Sequence, residues 1–289
     1  MDIRHPDIED FIKMKSIPHQ RIKDLTGIEE PYLVTGANVS IRITNAFMKA
    51  VKANEQFTLQ FPVESETPIY TRQVSAKDLW NLIVEKATKS GEPGLLMWDN
   101  ILENLPAECY ADVGFKTIST NPCGEIPLSA DDSCRLITQN LKTLVLNPFK
   151  PNAAFDYVEL TRRTRTAMRL SDVLVELEIE KIRKIIESAK KEDEKELWTK
   201  MLTSCINGRR TGLGTHGLAD ALACLNLRYD SDEALIVIDK IYETIKIAAY
   251  RESIELAKER GPFPVFDWEK EKDNKFIKSL PVDLQEQMA

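Results

Sequence analysis

Residues 119–134 read STNPCGEIPLSADDSC, and this segment places a cysteine between a proline and a glycine. Asn121 lies two positions before Cys123, and Glu125 lies two positions after it. A second cysteine, Cys134, follows eleven positions after Cys123. The segment therefore combines an amide, a thiol and a carboxylate at alternate positions with another thiol nearby.

If the chain is extended through this segment, the amide, the thiol and the carboxylate project to the same side of the backbone. The three groups would then span roughly 13 Å at about 3.3 Å per residue, which is comparable with the length of a nucleoside. A carboxylate two positions from a thiol can act as a base toward a substrate held between them. Taken alone, however, the pattern favours a loop with an incidental buried cysteine.

The composition excludes several classes of protein. A chain of 289 residues with 43% hydrophobic residues can form one large domain or two small ones. The net charge of −7 argues against a general nucleic-acid binder. No apolar run approaches the length of a membrane span, and residues 1–30 lack the apolar stretch of a signal peptide. Together with five cysteines and no signal peptide, these features predict a soluble cytoplasmic protein without a disulfide framework.

The first half of the chain shows patterns typical of both strands and helices. HPDIEDFIKMK predicts a helix that opens near Pro6. The alternation in NVSIRITNAF, residues 38–47, predicts a half-buried strand, and LLMWDN, residues 95–100, predicts a short buried one. Between them, Ser75 and Gly91 are the expected start and end of a helix.

The second half is predicted to be mainly helical. Residues 105–133 are rich in Pro, Gly, Ser and Asp and are expected to be loop-like. The charged tract KKEDEKE, residues 190–196, predicts a solvated helix face or a turn. The longest helix is expected to begin at Ser231 and to end at Gly261. This mixture of helices and strands predicts an α/β architecture.

The sequence argues against two common kinds of ligand site, a dinucleotide site and a metal site. GLGTHG, residues 212–217, matches the dinucleotide fingerprint by letter, but polar and basic CINGRRT precedes it where a hydrophobic strand is required. A tight helix entry is the favoured interpretation. The histidines are scattered and no C-x-x-C pair occurs, so no metal site is predicted. Cys205 and Cys224 are predicted to be core residues, and Cys109 has no partner pattern.

The letters around Cys123 closely resemble the active-site loop of ribonucleotide reductase large subunits, above all the adenosylcobalamin-dependent class II enzymes. The resemblance extends over nearly the whole chain in the family's order. The segments that carry it are HPDIEDFI, NVSIRITNAFM, STNPCGEIPLSADDSCRL, CRLITQNLKTLVLNPF, RRTGLGTHGLADALA, LRYDSDEAL and AYRESIELAKERGPFPVFD. The resemblance implies that residues 1–289 form the central part of a ten-stranded α/β barrel. Its finger loop would lie at about 119–134, followed by a mainly helical region at 156–262.

The resemblance also implies roles for the residues of the loop. Cys123 matches the cysteine whose thiyl radical abstracts the 3′ hydrogen of a ribonucleotide. Glu125 matches the base that takes the proton of the 3′-hydroxyl, and Asn121 matches the amide that hydrogen-bonds the substrate. Cys134 matches one member of the redox-active pair that closes to a disulfide. The implied partners are adenosylcobalamin, a ribonucleoside di- or triphosphate and a thioredoxin-type reductant, with no nucleic acid, no membrane and no metal. No cofactor-binding residue can be assigned.

Some parts of the family's pattern are not found. The second cysteine of the redox pair is expected upstream of HPDIEDFI, and the loop that grips substrate phosphates is expected downstream of LPVDL, residues 280–284. The sequence therefore predicts a fragment or split piece of a catalytic chain, which would need the missing N- and C-terminal portions. One alternative is a class I catalytic subunit with a separate radical-generating subunit. The other is a non-catalytic fragment that binds reductase subunits.

Overall fold

A computed structural model describes residues 1–15, 21–23, 29–31, 36–133 and 135–289. The chain divides into two compact units. The first unit contains Met1–Leu105 and Thr120–Pro127, and the second contains Pro106–Ser119 and Leu128–Ala289. Each unit has hydrophobic clusters of its own.

The first unit mixes short helices with paired strands. In chain order its elements are α1 (Ile8–Lys13), β1 (Arg21–Lys23), β2 (Glu29–Pro31), β3 (Ser40–Ile43), α2 (Asn45–Ala53), β4 (Gln56–Phe61), β5 (Tyr70–Ser75), α3 (Ala76–Ser90), β6 (Gly94–Met97) and α4 (Trp98–Asn104). The β1–β2 and β4–β5 pairs are antiparallel, whereas β3 and β6 are parallel. The core cluster joins side chains of α1, β3, α2, β4 and α3.

Local sequence signals explain most of these elements. The predicted strand forms as β3, with Ile41 and Ile43 buried. Helix α3 begins and ends where predicted, because Ser75 Oγ accepts the N–H of Asp78 at 3.2 Å and Gly91 adopts φ 76° after the last turn. The expected buried strand at 95–100 is only partly right. Strand β6 forms, but its Leu95 and Met97 side chains are exposed.

The second part of the chain is dominated by long helices. Its elements are a 3-10 helix (Pro106–Val113), β7 (Thr117–Thr120), β8 (Pro127–Ser129), β9 (Leu136–Asn140), a 3-10 helix (Leu141–Leu144), β10 (Val145–Leu146), β11 (Ala154–Phe155), α5 (Tyr157–Ser188), α6 (Glu192–Gly208), β12 (Gly212–His216), α7 (Leu218–Cys224), α8 (Asp232–Arg260), α9 (Trp268–Glu271), a 3-10 helix (Ile277–Ser279) and α10 (Val282–Met288). The strands pair as β7–β8, β9–β12 and β10–β11. The prediction of a loop over residues 105–133 was therefore wrong, because a 3-10 helix and two paired strands lie there.

Helices α5 and α8 pack against each other. Helix α8 begins as predicted, since Ser231 Oγ accepts the N–H of Ala234 at 3.2 Å. Between the helices, the buried carboxylate of Glu252 accepts hydrogen bonds from Nε of Arg165 and Nε of Arg169, both at 2.5 Å. The two guanidinium groups offset the free-energy cost of removing this carboxylate from water.

The glycine-rich segment at 212–217 differs from its prediction. Residues Gly212–His216 form β12, a strand parallel to β9, and only Gly217 lies at the entry to α7. Gly217 has φ +73°, and a Cβ atom there would lie 2.9 Å from Oδ1 of Asn140. The close approach of the Asn140 side chain and the left-handed conformation both favour glycine at this position.

The sheets of the described residues are all two-stranded. The expected α/β mixture is confirmed, but these residues do not form a closed barrel. No helix in the described ranges is both long and apolar enough to cross a membrane.

Candidate active site

Cys123 lies in a tight turn at the tip of the β7–β8 hairpin. The N–H of Gly124 donates to the carbonyl oxygen of Asn121 at 3.0 Å, which closes a four-residue turn over Asn121–Gly124. Its residues suit the type I form, with Asn first, Pro second and Gly fourth. Gly124 has φ +86°. The extended arrangement considered for NPCGE was therefore wrong, because the local turn chemistry determines the backbone here.

The side chain of Asn121 closes the rest of the loop. Its Oδ1 accepts the N–H of Ile126 at 3.0 Å, and its own N–H donates to the carbonyl oxygen of Ile126 at 3.1 Å. The amide oxygen is thus used within the protein. Its Nδ2 has no hydrogen-bond partner among the described residues and can donate to a ligand.

The structure brings three of the four predicted site residues together. Asn121, Cys123 and Glu125 all lie within the six-residue loop 121–126. The side chains of Cys123 and Glu125 are exposed, so a molecule outside the loop can reach both the thiol and the carboxylate. The loop therefore presents a hydrogen donor, a proton acceptor and an amide donor on one short piece of backbone.

Cys134 lies outside the described residues, but the residues on both sides of it are anchored to α5. Ser133 Oγ donates to Oε1 of Glu178 at 2.5 Å, and Nε of Arg135 pairs with Oε2 of the same carboxylate. Nη1 of Arg135 also donates to the carbonyl oxygen of Arg210 at 2.6 Å. The contacts of Ser133 and Arg135 with Glu178 could not be predicted from the sequence, because Glu178 has the pattern of an ordinary polar residue on an amphipathic helix.

The other cysteines do not belong to the loop. Cys205 is buried as predicted, and Nη2 of Arg135 donates to its Sγ at 2.9 Å. Burial raises the pKa of the Cys205 thiol, although the positive charge of Arg135 opposes this shift. Cys224 is also buried as predicted. Burial and the nearby Glu271 carboxylate raise the pKa of the Cys109 thiol to about 11. The thiols of Cys205 and Cys109 are therefore poor nucleophiles near neutral pH.

The described residues offer no evident site for a metal ion or for a corrinoid. They contain no group of three or more His, Cys, Asp and Glu side chains that could hold a metal ion. A corrinoid needs a large concave site. Open clefts of about 600 and 580 Å³ lie beside His5 and Phe61 and along α5, and neither includes a residue of the loop 121–126. No described residue is therefore assigned to hold a corrinoid.

Comparison with known proteins gives consistent matches along the chain. The profile of the family described as "Ribonucleotide reductase, barrel domain" matches residues 1–286. A vitamin B12-dependent ribonucleoside-diphosphate reductase of Thermoplasma acidophilum is 30% identical over 277 residues, covering 94% of this chain and 31% of that protein. A protein of the same description from Mycobacterium tuberculosis is 30% identical over 281 residues, and the match covers 97% of this chain and 34% of that protein.

A solved structure supports the same assignment of the fold. The alpha subunit of the Actinobacillus ureae class Id ribonucleotide reductase matches with a TM-score of 0.57 at 20% identity. The match covers 91% of this chain and 41% of that chain. The chain spans about a third of the length of the curated relatives described above. Because the family profile covers nearly all of its residues, this chain belongs to the ribonucleotide reductase barrel-domain family.

Proposed function

We propose that this chain provides the thiyl-radical site of a ribonucleotide reductase and that Cys123 carries the radical. One observation supports this proposal above the others. In a chain of this family, the thiol of Cys123 and the carboxylate of Glu125 are exposed on the same six-residue loop. A cysteine whose thiyl radical takes a hydrogen atom from a substrate has to be accessible, whereas a core cysteine would be buried.

The proposed reaction begins at the ribose. The thiyl radical of Cys123 takes the hydrogen atom from C3′, so an S–H bond forms and a carbon radical remains. The carboxylate of Glu125 accepts the proton of the 3′-hydroxyl. The 2′-hydroxyl gains a proton from a thiol of the redox pair and leaves as water. Asn121 Nδ2 donates a hydrogen bond that holds the sugar in place.

The remaining steps restore the site. The redox pair supplies two electrons and closes to a disulfide, and Cys123 returns its hydrogen atom to C3′, which regenerates the thiyl radical. Overall, one ribonucleotide and one dithiol yield one deoxyribonucleotide, one disulfide and one water. Cys134 is the proposed member of the pair in this chain, and a thioredoxin-type protein is its proposed reductant. A ribonucleoside di- or triphosphate is the proposed substrate.

The source of the radical is a separate part of the proposal. Adenosylcobalamin is favoured because the relatives from Thermoplasma acidophilum and Mycobacterium tuberculosis are named vitamin B12-dependent. When bound, this cofactor would supply the radical chemistry that converts the thiol of Cys123 to a thiyl radical. The alternative is a separate radical-generating subunit.

The test measures deoxyribonucleotide formation by an enzyme that combines this chain with the reductase segments of its longer relatives. Cys123→Ser keeps nearly the same volume, but its O–H bond is too strong for facile radical formation. We expect turnover to fall below detection while circular dichroism stays unchanged. Cys109→Ser is the matched control and should retain turnover. Substantial turnover by Cys123→Ser would remove Cys123 from the radical role.

The same assay separates the two radical sources. Turnover that requires adenosylcobalamin supports the cobalamin-dependent assignment. Turnover that occurs only with a separate radical-generating subunit supports the class I alternative. If neither source gives turnover with the unaltered chain, the proposed function is wrong and a non-catalytic reductase-binding role is favoured.

A further inference from the structure

Asn38 contacts the turn that carries Cys123. Its Nδ2 donates to the carbonyl oxygen of Pro122 at 3.2 Å, although the two residues lie 84 positions apart. Both residues belong to the first unit. This carbonyl is part of the peptide bond that joins Pro122 to Cys123. Asn38 therefore holds the plane of the peptide group that directly precedes the thiol-bearing residue.

The orientation of this peptide group distinguishes the two common forms of a β-turn. Types I and II differ by a flip of the plane between the second and third residues, which are Pro122 and Cys123 in this turn. The type II form requires a positive φ at the third residue. Cys123 is not among the non-glycine residues with positive φ. The carbonyl of Pro122 is thus held in the orientation of the type I form, in which it meets Asn38.

Packing restrains the turn at a second point. A Cβ atom built on Gly124 would lie 3.3 Å from Cδ2 of Leu96, so the side chain of Leu96 lies directly against this glycine. Leu96 belongs to β6, and Asn38 immediately precedes Val39 and β3, the strand paired with β6. The β3–β6 pair thereby supplies a polar and an apolar contact to the same turn.

We propose that Asn38 is a positioning residue that fixes the direction of the Cys123 thiol by holding the Pro122–Cys123 peptide plane. Loss of the amide donor lets the plane rotate, and the Cα–Cβ bond of Cys123 then changes direction. The catalytic consequence rests on the proposed function, since a misplaced thiol abstracts hydrogen less efficiently. A displacement of about 1 Å at a reacting atom can lower a rate about 100-fold.

The structural part of the proposal is tested on the chain itself. Selective ¹⁵N labelling of cysteine gives five backbone signals, one for each cysteine, and Cys123→Ser identifies the signal of Cys123. Asn38→Asp keeps the size of the side chain but removes its N–H donor. We expect the Cys123 signal to shift or split and the other four signals to remain in place. A Cys123 signal that does not move would overturn the proposal.

Two further variants distinguish positioning from a general effect on stability. Asn104→Asp is the matched control, because Asn104 Nδ2 donates to the carbonyl oxygen of Asn100 at 2.8 Å, within α4. It should leave the Cys123 signal unchanged. Asn38→Gln keeps an amide donor and should restore at least part of the original signal. If the Cys123 signal shifts by the same amount in Asn104→Asp, the effect of Asn38→Asp is not specific to the turn, and the positioning role of Asn38 is contradicted.

The catalytic part is tested in the complete enzyme. Asn38→Asp should lower kcat about 10- to 100-fold with little change in KM, because the thiol is displaced while substrate binding remains. An unchanged kcat with a shifted Cys123 signal would show that the position held by Asn38 does not matter for turnover, which would overturn the catalytic part of the proposal. If the unaltered enzyme forms no deoxyribonucleotide, the proposed function fails, whereas the signal of Cys123 still decides whether Asn38 orients the turn.

Discussion

The hydroxyl group of Tyr110 donates to Oε1 of Glu271 at 2.8 Å inside the second unit, across 161 positions of sequence. The Tyr110 oxygen also accepts the backbone N–H of Asp267 at 3.1 Å. Burial raises the pKa of the Glu271 carboxyl group, and the hydrogen bond from Tyr110 opposes this shift only in part. The 3-10 helix at Pro106–Val113 is thus tied to α9 by a carboxyl group that resists ionisation.

This relationship predicts a stability that depends on pH. Because the folded-state pKa of Glu271 is raised above its unfolded value, its contribution is fully present at low pH and is lost as pH rises through the folded pKa. Glu271→Gln keeps an acceptor for Tyr110 and cannot ionise. We expect little change in the free energy of unfolding at pH 4, and a gain of the order of 1 kcal/mol at pH 8. Denaturant titrations at both pH values measure this difference.

Glu269→Gln is the control for that measurement, because Glu269 lies in the same helix but is exposed. The Glu269→Gln variant should show no comparable gain in the free energy of unfolding at pH 8. A Glu271→Gln variant that is less stable than the unaltered chain at pH 8 would contradict the assignment of Glu271 as a group whose ionisation opposes folding.

The exposed thiol of Cys123 and the half-buried thiol of Cys109 should differ strongly in reactivity. Cys123 is exposed, whereas burial and Glu271 raise the pKa of Cys109 to about 11. At pH 8 a thiol with that pKa is ionised in only about one molecule in a thousand. Iodoacetamide followed by peptide mapping should therefore modify Cys123 much faster than Cys109. The rate at Cys109 should keep rising up to about pH 11, and comparable rates at pH 8 would contradict this prediction.

Gly217→Ala should destabilise the second unit. The added Cβ would meet Oδ1 of Asn140 at 2.9 Å, and the backbone would have to keep φ +73°. The same Oδ1 accepts the N–H of Lys142 at 3.2 Å, so its displacement also weakens that hydrogen bond. We expect a loss of about 1–3 kcal/mol in thermal or denaturant unfolding. Gly36→Ala is the control, because no atom lies within 4 Å of its added Cβ and no positive φ is required there.

Cys134→Ser should separate the two thiol functions of the proposed reaction. Turnover with a thioredoxin-type reductant should stop, because the redox pair is broken, while hydrogen abstraction by Cys123 remains possible. The measurement is deoxyribonucleotide formed per enzyme over many cycles, and Cys224→Ser serves as a control at a buried position. Normal cycling of the Cys134→Ser variant would make Cys134 a structural residue.

Elements with their own start and stop signals were predictable from the sequence. Helices α3 and α8 follow from serine caps at their beginnings and glycines after their ends. Strand β12 was not predictable, because Gly212 and Gly214 have little preference for strands and the partner strand β9 lies far away in sequence. The sequence Asn-Pro-Cys-Gly is typical of a type I turn, and this local preference determines the backbone more strongly than the alternation of functional groups does.

The candidate site was predictable only in part. The order of Asn121, Cys123 and Glu125 places them in one short segment whatever the surrounding fold is. The second function of Asn121, which closes the loop through Ile126, depends on the hairpin geometry and has no sequence signal. The contact from Asn38 to Pro122 could not be predicted from the sequence either, because it joins segments that become neighbours only after folding.

The parallel pairing of β9 with β12 also has a consequence for how the second unit folds. Leu136 and Gly212 are paired, and both α5 and α6 lie between them in the chain. Closing so long a loop costs entropy before any strand hydrogen bond can form. The two helices form from local contacts and can shorten the distance between the strands beforehand. The contact order of this pair therefore makes it a late folding event, and protection of the β12 amides from hydrogen exchange should appear after protection of the α5 amides.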